Sequence, residues 1–426
     1  MKSLFTDHQP VKVLKPKDAK EVQKIIKQAN KDKTPLVPTS SGTNMQDTHL
    51  PNVKGAIMVD LSGMKGIYFD KMNRNVVVEP GVTFADLEKE CKKAGLRPLT
   101  AIDVPKEASI LSTYLEMMPL YDWPKYHPWE MLTMEGYRAD GERFATGQMA
   151  MEQDRPDKYS WGVSFAQVAR LFCLAQGTLG IITKVAVTLK TEASKTDVLY
   201  YSCRNINQAA KALKAFVATE EPHEIFAVNK KYFGEYIDQK PTAGMAPWTV
   251  IIVNRGAEKA EIAYKRKDMQ DIAKKLGGKI ETSIKGAPKA SDAILAQIKL
   301  PTGAAIHEKA GMGWAPIVTI STAAQIESCS KLIPKSSGAI IMPLQAGGCF
   351  YYQPDLRYKE SEIDQTRKTY VSICTKMIKA GVTFPRPSAL IADAVAKANP
   401  ANFKLLRSIK KAVDPKNIMN PGKLGL

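Results

Sequence analysis

The first polar turn of this sequence joins two apolar segments and is built almost entirely from small or hydrogen-bonding residues. It reads "VPTSSGTNMQ" (37–46), and seven of its ten residues are glycine or carry a hydroxyl or amide group. In such a turn successive backbone N–H groups can surround a phosphate, and hydroxyl groups add further donors. A solvated connection rich in Ser, Thr and Asn has the same composition. The turn therefore indicates either a phosphate site or a simple link between strands.

The composition is that of a soluble globular protein. The 426 residues are 44% hydrophobic and 24% charged, which predicts two or three domains with a sizeable core. No apolar run approaches the roughly 20 residues that cross a bilayer. The opening "MKSLFTDHQP" lacks the apolar centre of a signal peptide, so we expect a cytoplasmic protein.

The charge balance is strongly basic. The chain has 61 Lys and Arg against 43 Asp and Glu residues, a net charge of +18, which could attract nucleic acid, an anionic membrane surface, an acidic protein or an anionic substrate. The lysines are spread along the chain and not clustered with aromatic residues, which disfavours nucleic-acid binding. The six cysteines have no C-x-x-C spacing, which argues against an iron–sulfur cluster, a zinc knuckle or an attached c-type haem.

Hydrophobic periodicity divides the chain into segments. "DAKEVQKIIKQANK" predicts a helix with Asp18 as its N-cap, and "MLTMEGYRADGERFATG" alternates about a turn, as in a β-hairpin. The polar "KTEASKTD" (190–197) marks a domain boundary. Two strand–helix–strand sets follow it and predict an antiparallel sheet covered on one face by helices.

Four segments occur in a characteristic order: "PLVPTSSGTNM", "NVVVEPGVTFADLEKECKKAGL", "GTLGIITKVAVTL" and the terminal "AVDPKNIMNPGKLGL". Together they resemble the flavin-dependent oxidoreductases of the vanillyl-alcohol oxidase and 4-cresol methylhydroxylase (PCMH) superfamily. The resemblance implies an α+β fold: a PCMH-type FAD-binding domain in two parts, with an inserted cap domain of antiparallel sheet covered by helices. The division falls at residues 1–192 for the FAD-binding domain, 193–375 for the cap, and 376–426 for a C-terminal segment that returns to the FAD domain.

The resemblance also assigns the polar turn to the pyrophosphate of FAD. Its amides and hydroxyls would offset two negative charges, and glycine at position 42 would allow the backbone to approach closely. A "PG" pair after a central strand, a glycine turn and the C-terminal segment match other cofactor contacts of the family. For the "PG" pair and the C-terminal segment, an ordinary strand-ending turn and a frayed terminus are the alternatives. The expected cofactor residues are Pro38, Thr39, Ser40, Ser41, Gly42, Thr43, Asn44, Pro80, Gly81, Gly177, Gly180, Ile181, Asn420 and Lys423.

The chain departs from the family pattern in ways that limit its chemistry. The phosphate turn has "TSSGT" where relatives have a glycine-richer "GGGT", and it lacks the histidine that anchors FAD covalently in some relatives. We therefore expect non-covalent FAD, with a Tyr or His tether from the cap left open. No histidine stands in "MPLQAGGCFYYQ", where the metal-dependent 2-hydroxy-acid branch has a His-rich motif, so we expect no catalytic metal.

The candidate catalytic residues come from three places. The family has an Arg beside a Tyr shortly before its C-terminal helices; "TFPRPSALIADAV" has the Arg, but Phe384 and Pro385 stand where the Tyr is expected. A surface ion pair is the alternative for this Arg. The cluster "YDWPKYHPW" could line a flavin pocket and supply a general base, or form a proline-fixed surface loop. Neighbouring strand residues face opposite sides, so at most one tyrosine of "FYYQ" points into the pocket. The expected catalytic residues are Arg386, Tyr126, His127 and Tyr352.

The resemblance implies an FAD-dependent dehydrogenase. It would transfer hydride from a small aromatic alcohol, an alkylphenol or a related organic substrate to flavin N5. Its electrons would pass to a partner protein, because the chain has no haem or cluster motif, and the basic charge would suit an acidic carrier. An oxidase, which passes the electrons to oxygen, is the closely related activity. Members of the family often form oligomers, so the resemblance also implies an oligomer. The alternative is a flavin-binding or flavin-free subunit that contributes structure or electron relay to a larger complex.

Overall fold

The computed structural model describes residues 2–43, 46–122, 131–151, 165–237, 245–301 and 312–426. The strands there are β1 (Lys12–Leu14), β2 (Leu36–Thr39), β3 (Ile57–Asp60), β4 (Ile67–Asp70), β5 (Asn75–Val78), β6 (Leu96–Pro98), β7 (Met131–Tyr137), β8 (Arg143–Ala145), β9 (Ile181–Thr191), β10 (Lys195–Cys203), β11 (Glu224–Asn229), β12 (Trp248–Gly256), β13 (Ile280–Glu281), β14 (Gly313–Pro316), β15 (Thr319–Ser321), β16 (Ala339–Leu344) and β17 (Cys349–Tyr358). The helices are α1 (Ala19–Asp32), α2 (Phe84–Lys92), α3 (Ile110–Leu115), α4 (Ala169–Phe172), α5 (Ile206–Val217), α6 (Lys230–Tyr236), α7 (Lys259–Lys275), α8 (Ala290–Lys299), α9 (Ala323–Ser330), α10 (Ile363–Lys379), α11 (Ala392–Ala398) and α12 (Pro400–Val413).

A small parallel sheet, β1-β3-β2, leads into the polar turn. Helix α1 precedes β2, and its predicted N-cap is confirmed, since the Asp18 carboxylate accepts the Glu21 N–H at 2.8 Å. The C-terminal segment continues this sheet: the Leu36 N–H donates to the Ile418 carbonyl at 2.7 Å, and the Asn420 N–H donates to the Leu36 carbonyl at 2.8 Å. The last residues of the chain therefore lie against the strand that carries the polar turn.

A six-stranded antiparallel sheet forms the rest of the N-terminal half. Its order is β4-β5-β9-β7-β8, and β6 pairs with β9. The predicted hairpin is confirmed as β7 and β8, which pair antiparallel. The long strand β9 is buried along most of its length and begins directly after the glycine turn at Gly180. That turn is thereby held at the edge of a rigid sheet.

The chain passes to an eight-stranded sheet between Thr191 and Lys195, where the polar segment lies. The sheet order is β13-β10-β12-β11-β16-β17-β14, with β15 beside β17. Helices α5, α7, α9 and α10 cover one face. The other face is also buried, by α6 and α8 and by Ile102 and Tyr121 from the N-terminal half. The sequence pattern predicts helices on one face only; the second apolar face is covered because these strands are hydrophobic on both sides.

Buried ion pairs join the two halves beside this second face. The Arg97 guanidinium holds the Asp122 carboxylate at 2.7 Å and lies 3.7 Å from Glu224, which binds Arg255 at 2.7 Å. All four side chains are less than a tenth exposed. Because such charges are stable in the interior only when paired, this network keeps the eight-stranded sheet against the N-terminal half.

Across the described residues, no helix combines the length and the apolar character that a membrane span requires.

Candidate cofactor and active site

A cavity of about 1080 Å³, part of it open to solvent, lies between the parallel sheet, the start of β9 and the segment around α3. It is lined by the polar turn (38–43), by His49, and by parts of the segments 103–118 and 172–182. Arg386 and Asn420 from the C-terminal part complete it. Stretches of sequence that are far apart along the chain thus meet in one concave site.

The polar turn presents hydroxyl groups to this cavity. The Ser41 hydroxyl accepts the Ser109 N–H at 3.1 Å and lies 2.9 Å from the Thr43 hydroxyl. Gly42 has φ +66°, a backbone conformation that residues with a Cβ adopt only at a cost. The Thr39 hydroxyl is buried with no hydrogen-bond partner among the described residues. The turn therefore offers donors that protein atoms do not use.

The turn before β9 packs too closely for any side chain. Gly177 has φ +71°, and a Cβ there would lie 2.6 Å from Cγ of Pro38. A Cβ at Gly180 would lie 2.6 Å from the Tyr137 carbonyl oxygen. Glycine is required at both positions, because the first lies against the ring of Pro38 and the second against the backbone of β7.

A buried lysine ties the glycine turn to the C-terminal segment. Lys410 Nζ donates to the carbonyl oxygens of Thr178 at 2.8 Å and Met419 at 2.7 Å, and pairs with the Asp414 carboxylate. The Asn420 amide group donates to the Gln176 carbonyl at 2.7 Å. The amide oxygen of Asn420 is buried without a partner in the described part of the chain. These bonds orient Asn420 at the cavity wall.

Arg386 and Glu116 bring opposite charges to the same cavity. Arg386 is only 4% exposed, and one of its terminal nitrogens has no acceptor among the described residues. Burial raises the pKa of Glu116, whereas the positive charges of Arg386 and Lys423 oppose the rise. One oxygen of Glu116 is also buried and unpartnered within the described ranges. Each side chain therefore keeps one buried polar atom without a hydrogen-bond partner in the described part of the chain, and both atoms are available to a ligand.

Asp103 forms the second acidic point of the cavity. It is 2% exposed and has φ +54°, which Asp tolerates better than most residues. Burial raises the pKa of Asp103 to about 6, although the neighbouring Tyr232 hydroxyl and the hydrogen bond from the Gln353 amide lower it. Gln353 donates to the carboxylate at 2.6 Å and accepts from the Tyr351 hydroxyl. A residue of the N-terminal half is thus held by the eight-stranded sheet through Gln353.

The donors and acceptors of this cavity fit FAD. Three buried polar atoms at this cavity have no partner among the described residues: the Thr39 hydroxyl, a guanidinium nitrogen of Arg386 and the amide oxygen of Asn420. They could bond phosphate oxygens or the polar edges of a flavin, which carry both acceptors and donors. Buried polar groups in native proteins are nearly always bonded, so their alignment along one cavity indicates a polar ligand.

Comparison with known protein families gives the same cofactor. Residues 10–112 match the FAD binding domain, and residues 394–424 match the C-terminal domain of FAD linked oxidases. The fold is that of p-cresol methylhydroxylase, with a TM-score of 0.86 at 19% identity over 100% of this chain and 91% of that chain. The chain thus carries segments that match FAD-linked oxidase domains, and these segments lie in a fold of the p-cresol methylhydroxylase type.

Two curated relatives extend over nearly the whole flavoprotein. The glycolate oxidase subunit GlcD of Bacillus subtilis is 24% identical, covering 97% of this chain and 89% of its own length. The 4-cresol dehydrogenase [hydroxylating] flavoprotein subunit of Pseudomonas putida is 22% identical, covering 98% of this chain and 88% of its own. The recognition of the superfamily and of FAD from sequence is confirmed.

Most of the cofactor residues predicted from the sequence line this cavity. They are Pro38, Thr39, Ser40, Ser41, Gly42, Thr43, Pro80, Gly177, Gly180, Ile181 and Asn420. Gly81 lies behind the lining, where a Cβ would come within 2.2 Å of the Ser62 carbonyl oxygen. Lys423 is buried beside the cavity and donates to Leu50 and Asn52 at 2.8 Å each. Asn44 lies outside the described residues.

The expected catalytic residues divide differently. Arg386 is in the cavity, and it is not the surface ion pair that the sequence leaves open. Tyr352 is not among the residues that line it. Its ring packs in the core on the face of the eight-stranded sheet that α9 and α10 cover, because alternation along β17 turns the neighbouring Tyr351 to the opposite face, toward Gln353 and Asp103. Tyr126 and His127 lie outside the described residues.

Sequence reasoning missed Asp103, Glu116 and His49, all of which line the cavity. Glu116 falls within "EASILSTYLEMMPLYD", a stretch in which no motif marks a cofactor contact. Asp103 is a single charge in the apolar run "LTAIDVP", and that isolation is the signal that could have found it.

Proposed function

We propose that this flavoprotein is a dehydrogenase that removes hydride from a small aromatic alcohol or alkylphenol and passes the electrons to a partner protein. The observation that carries the proposal is the pairing, in one cavity, of the buried and incompletely bonded Arg386 with the Asp103 carboxylate. Together they supply a cation for a phenolate oxygen and an acceptor for its proton.

The residues that would hold FAD are those of the polar turn, the glycine turn and Asn420, which line the cavity. Bound FAD supplies the hydride acceptor. The chain's own contribution is to orient the substrate, to manage its proton and to stabilise its charge.

Arg386 would stabilise the phenolate. Hydride loss from the para carbon becomes easier as the phenol oxygen gains negative charge, and a preorganised cation near that oxygen is the largest single aid a site can give. Burial strengthens this interaction, since little water remains to screen it.

Asp103 would take the phenol proton. With its pKa raised to about 6 by burial, the carboxylate is mostly ionised at neutral pH yet basic enough to accept a proton. The hydrogen bond from Gln353 holds the carboxylate in place, and both this bond and the neighbouring Tyr232 hydroxyl stabilise its charged form. Asp103 would then return the proton to solvent before the next turnover.

The named activities of relatives support this substrate class without deciding it. One relative is named for 4-cresol, and p-cresol methylhydroxylase is a solved structure of the same fold, whereas another relative is named for glycolate. The net charge of +18 supports an acidic electron carrier as partner, because opposite charge accelerates encounter.

The test is an anaerobic reductive titration of the purified protein after addition of FAD. We expect 4-ethylphenol and vanillyl alcohol to bleach the oxidised flavin rapidly, while glycolate and D-lactate do so slowly or not at all. Bleaching by the hydroxy acids alone would contradict the substrate class. A protein that binds no FAD would contradict the enzyme assignment and favour a structural subunit.

Two accompanying measurements complete this experiment. Acid precipitation should release the flavin into the supernatant, because we propose that it is bound non-covalently; colour in the pellet would show a tether. Reduced enzyme should be reoxidised faster by a soluble acidic cytochrome than by oxygen; the reverse order would make the protein an oxidase.

A further inference from the structure

His49 lies in the cofactor cavity although no motif places it there. It follows Thr43 by six residues and lines the same cavity as Thr39 and Thr43. Its Nδ1 is buried and has no hydrogen-bond partner among the residues that the structure describes. An imidazole nitrogen left in this state within a cofactor site points to a ligand atom as its partner.

The loop that carries His49 is firmly held. The Lys423 ammonium donates to the Leu50 carbonyl at 2.8 Å, and the Thr6 hydroxyl donates to the Pro51 carbonyl at 2.8 Å. The Leu50 N–H donates to the Asp47 carbonyl at 3.0 Å, which closes the turn around His49. The imidazole is therefore positioned before any ligand arrives, which lowers the entropic cost of binding.

We infer that His49 is a ligand of the FAD diphosphate and takes up a proton as the cofactor binds. This inference rests on the FAD assignment and is independent of the proposed substrate.

The charges around His49 explain why a proton would arrive with the cofactor. Burial lowers the pKa of His49 below its ordinary value; Asp47 in the same loop opposes the change and Lys423 of the C-terminal segment reinforces it. Glu116, near the end of α3, acts in turn on Lys423. With this balance the ring is neutral at pH 7. A diphosphate brings two negative charges, which favour the imidazolium and would raise the pKa of His49.

The sign of the pH dependence follows. A group whose pKa is higher in the complex strengthens binding below its free pKa, and the gain is lost as the pH rises through the pKa of the complex. FAD affinity should therefore fall as the pH is raised from about 6 to about 8, the range in which histidine titrates. Lys423, whose pKa burial lowers to about 8, would add a weaker dependence at higher pH in wild type and variants alike.

The experiment is calorimetric titration of the apoprotein with ADP, which carries the diphosphate without the flavin, in buffers of different ionisation enthalpy. We expect wild type to take up a fraction of a proton near pH 7. His49→Gln should take up less, and should bind ADP about tenfold more weakly at low pH, the effect of about one unit of pKa shift. The difference should shrink as the pH rises. His8→Gln, which replaces a histidine outside the cavity, serves as the matched control.

Riboflavin distinguishes the two ends of the cofactor. If His49 contacts the diphosphate, His49→Gln should leave riboflavin affinity unchanged. Loss of riboflavin affinity with ADP binding intact would overturn the inference and place His49 at the ring. Unaltered proton uptake in His49→Gln would also overturn it, provided that the thermal unfolding curves show both variants to be folded.

Discussion

The cavity has two regions of different construction. The cofactor edge consists of the polar turn (38–43), the glycine turn before β9 and Asn420, and is held by backbone contacts and hydrogen bonds to carbonyl oxygens. The second region, the proposed catalytic enclosure, consists of side chains that converge from separate segments: Asp103, Glu116 and Arg386. The two turns of the cofactor edge are joined directly to β2 and β9, whereas the catalytic enclosure depends on tertiary contacts such as the one from Gln353 to Asp103.

Because the two regions are built differently, substitutions in them should affect different properties of the protein. A substitution in the cofactor edge should alter the free energy of unfolding and the FAD affinity, because it changes the position of the backbone. A substitution in the catalytic enclosure should alter rate and pH dependence while FAD stays bound. Four variants test this contrast between the two regions, and they follow in order of decreasing expected effect.

The largest effect is expected for Lys410→Met, which removes the lysine that anchors the cofactor edge. The change leaves Asp414 buried without its cation and frees the carbonyl oxygens of Thr178 and Met419. Removing one partner of a buried pair costs about 3–5 kcal/mol, so the free energy of unfolding should fall by that amount. Urea denaturation measures it. Lys411→Met, at the exposed neighbouring position, is the control; equal losses in both variants would refute the anchoring role of Lys410.

Arg386→Gln tests the catalytic enclosure. Loss of the cation should slow flavin reduction by 4-ethylphenol about 100- to 1000-fold, the usual consequence of removing one oxyanion donor. Stopped-flow absorbance gives the rate, and fluorescence gives the FAD affinity, which should change little. Arg143→Gln removes an arginine that pairs with Glu135 away from the cavity and should keep the rate. Loss of FAD with an unchanged rate per bound flavin would move Arg386 to the cofactor edge.

Gly177→Ala tests close approach in the cofactor edge. Its Cβ would overlap Pro38, which should cost about 1–3 kcal/mol in stability beyond the conformational penalty and weaken FAD binding. Gly277→Ala is a matched control, because Gly277 has φ +76° and nothing within 4 Å of the added atom. The two variants share the conformational penalty, and their difference isolates the contact. Equal stabilities and equal FAD affinities would show that the two turns can separate.

The smallest effect concerns the pH dependence set by Asp103. If the carboxylate is the proton acceptor, the rate of flavin reduction should rise with pH through about 6, the pKa to which burial raises this group. Gln353→Leu removes a hydrogen bond to the charged form, so the pKa should rise and the profile should shift upward by about one pH unit.

A buried hydrogen bond elsewhere controls for this variant. Thr319→Val removes the bond from the Thr319 hydroxyl to the Tyr352 carbonyl, which does not involve Asp103, and should leave the pH profile in place. An unshifted profile in Gln353→Leu would show that Asp103 does not govern the step.

The cofactor edge could be predicted because its information is local. Small residues in a tight turn, a glycine pair ahead of a long apolar strand and an Asp N-cap each depend on neighbouring residues, and each is found where expected. Tyr352 shows the limit of such reasoning: the alternation rule allows only one of two tyrosines to face the site, but cannot say which. The packing of β17 against α9 and α10 decides which tyrosine faces the site.

By itself the sequence determined the superfamily, the cofactor and the backbone turns around it, since these follow from residue types at short spacing. Only the tertiary structure brought Asp103, Glu116 and His49 to the cavity and placed Gln353 against Asp103. The physical reason is that a pKa, a charge pair or an unpartnered nitrogen depends on what surrounds a side chain. That environment comes from segments hundreds of residues apart, whose meeting no local pattern records.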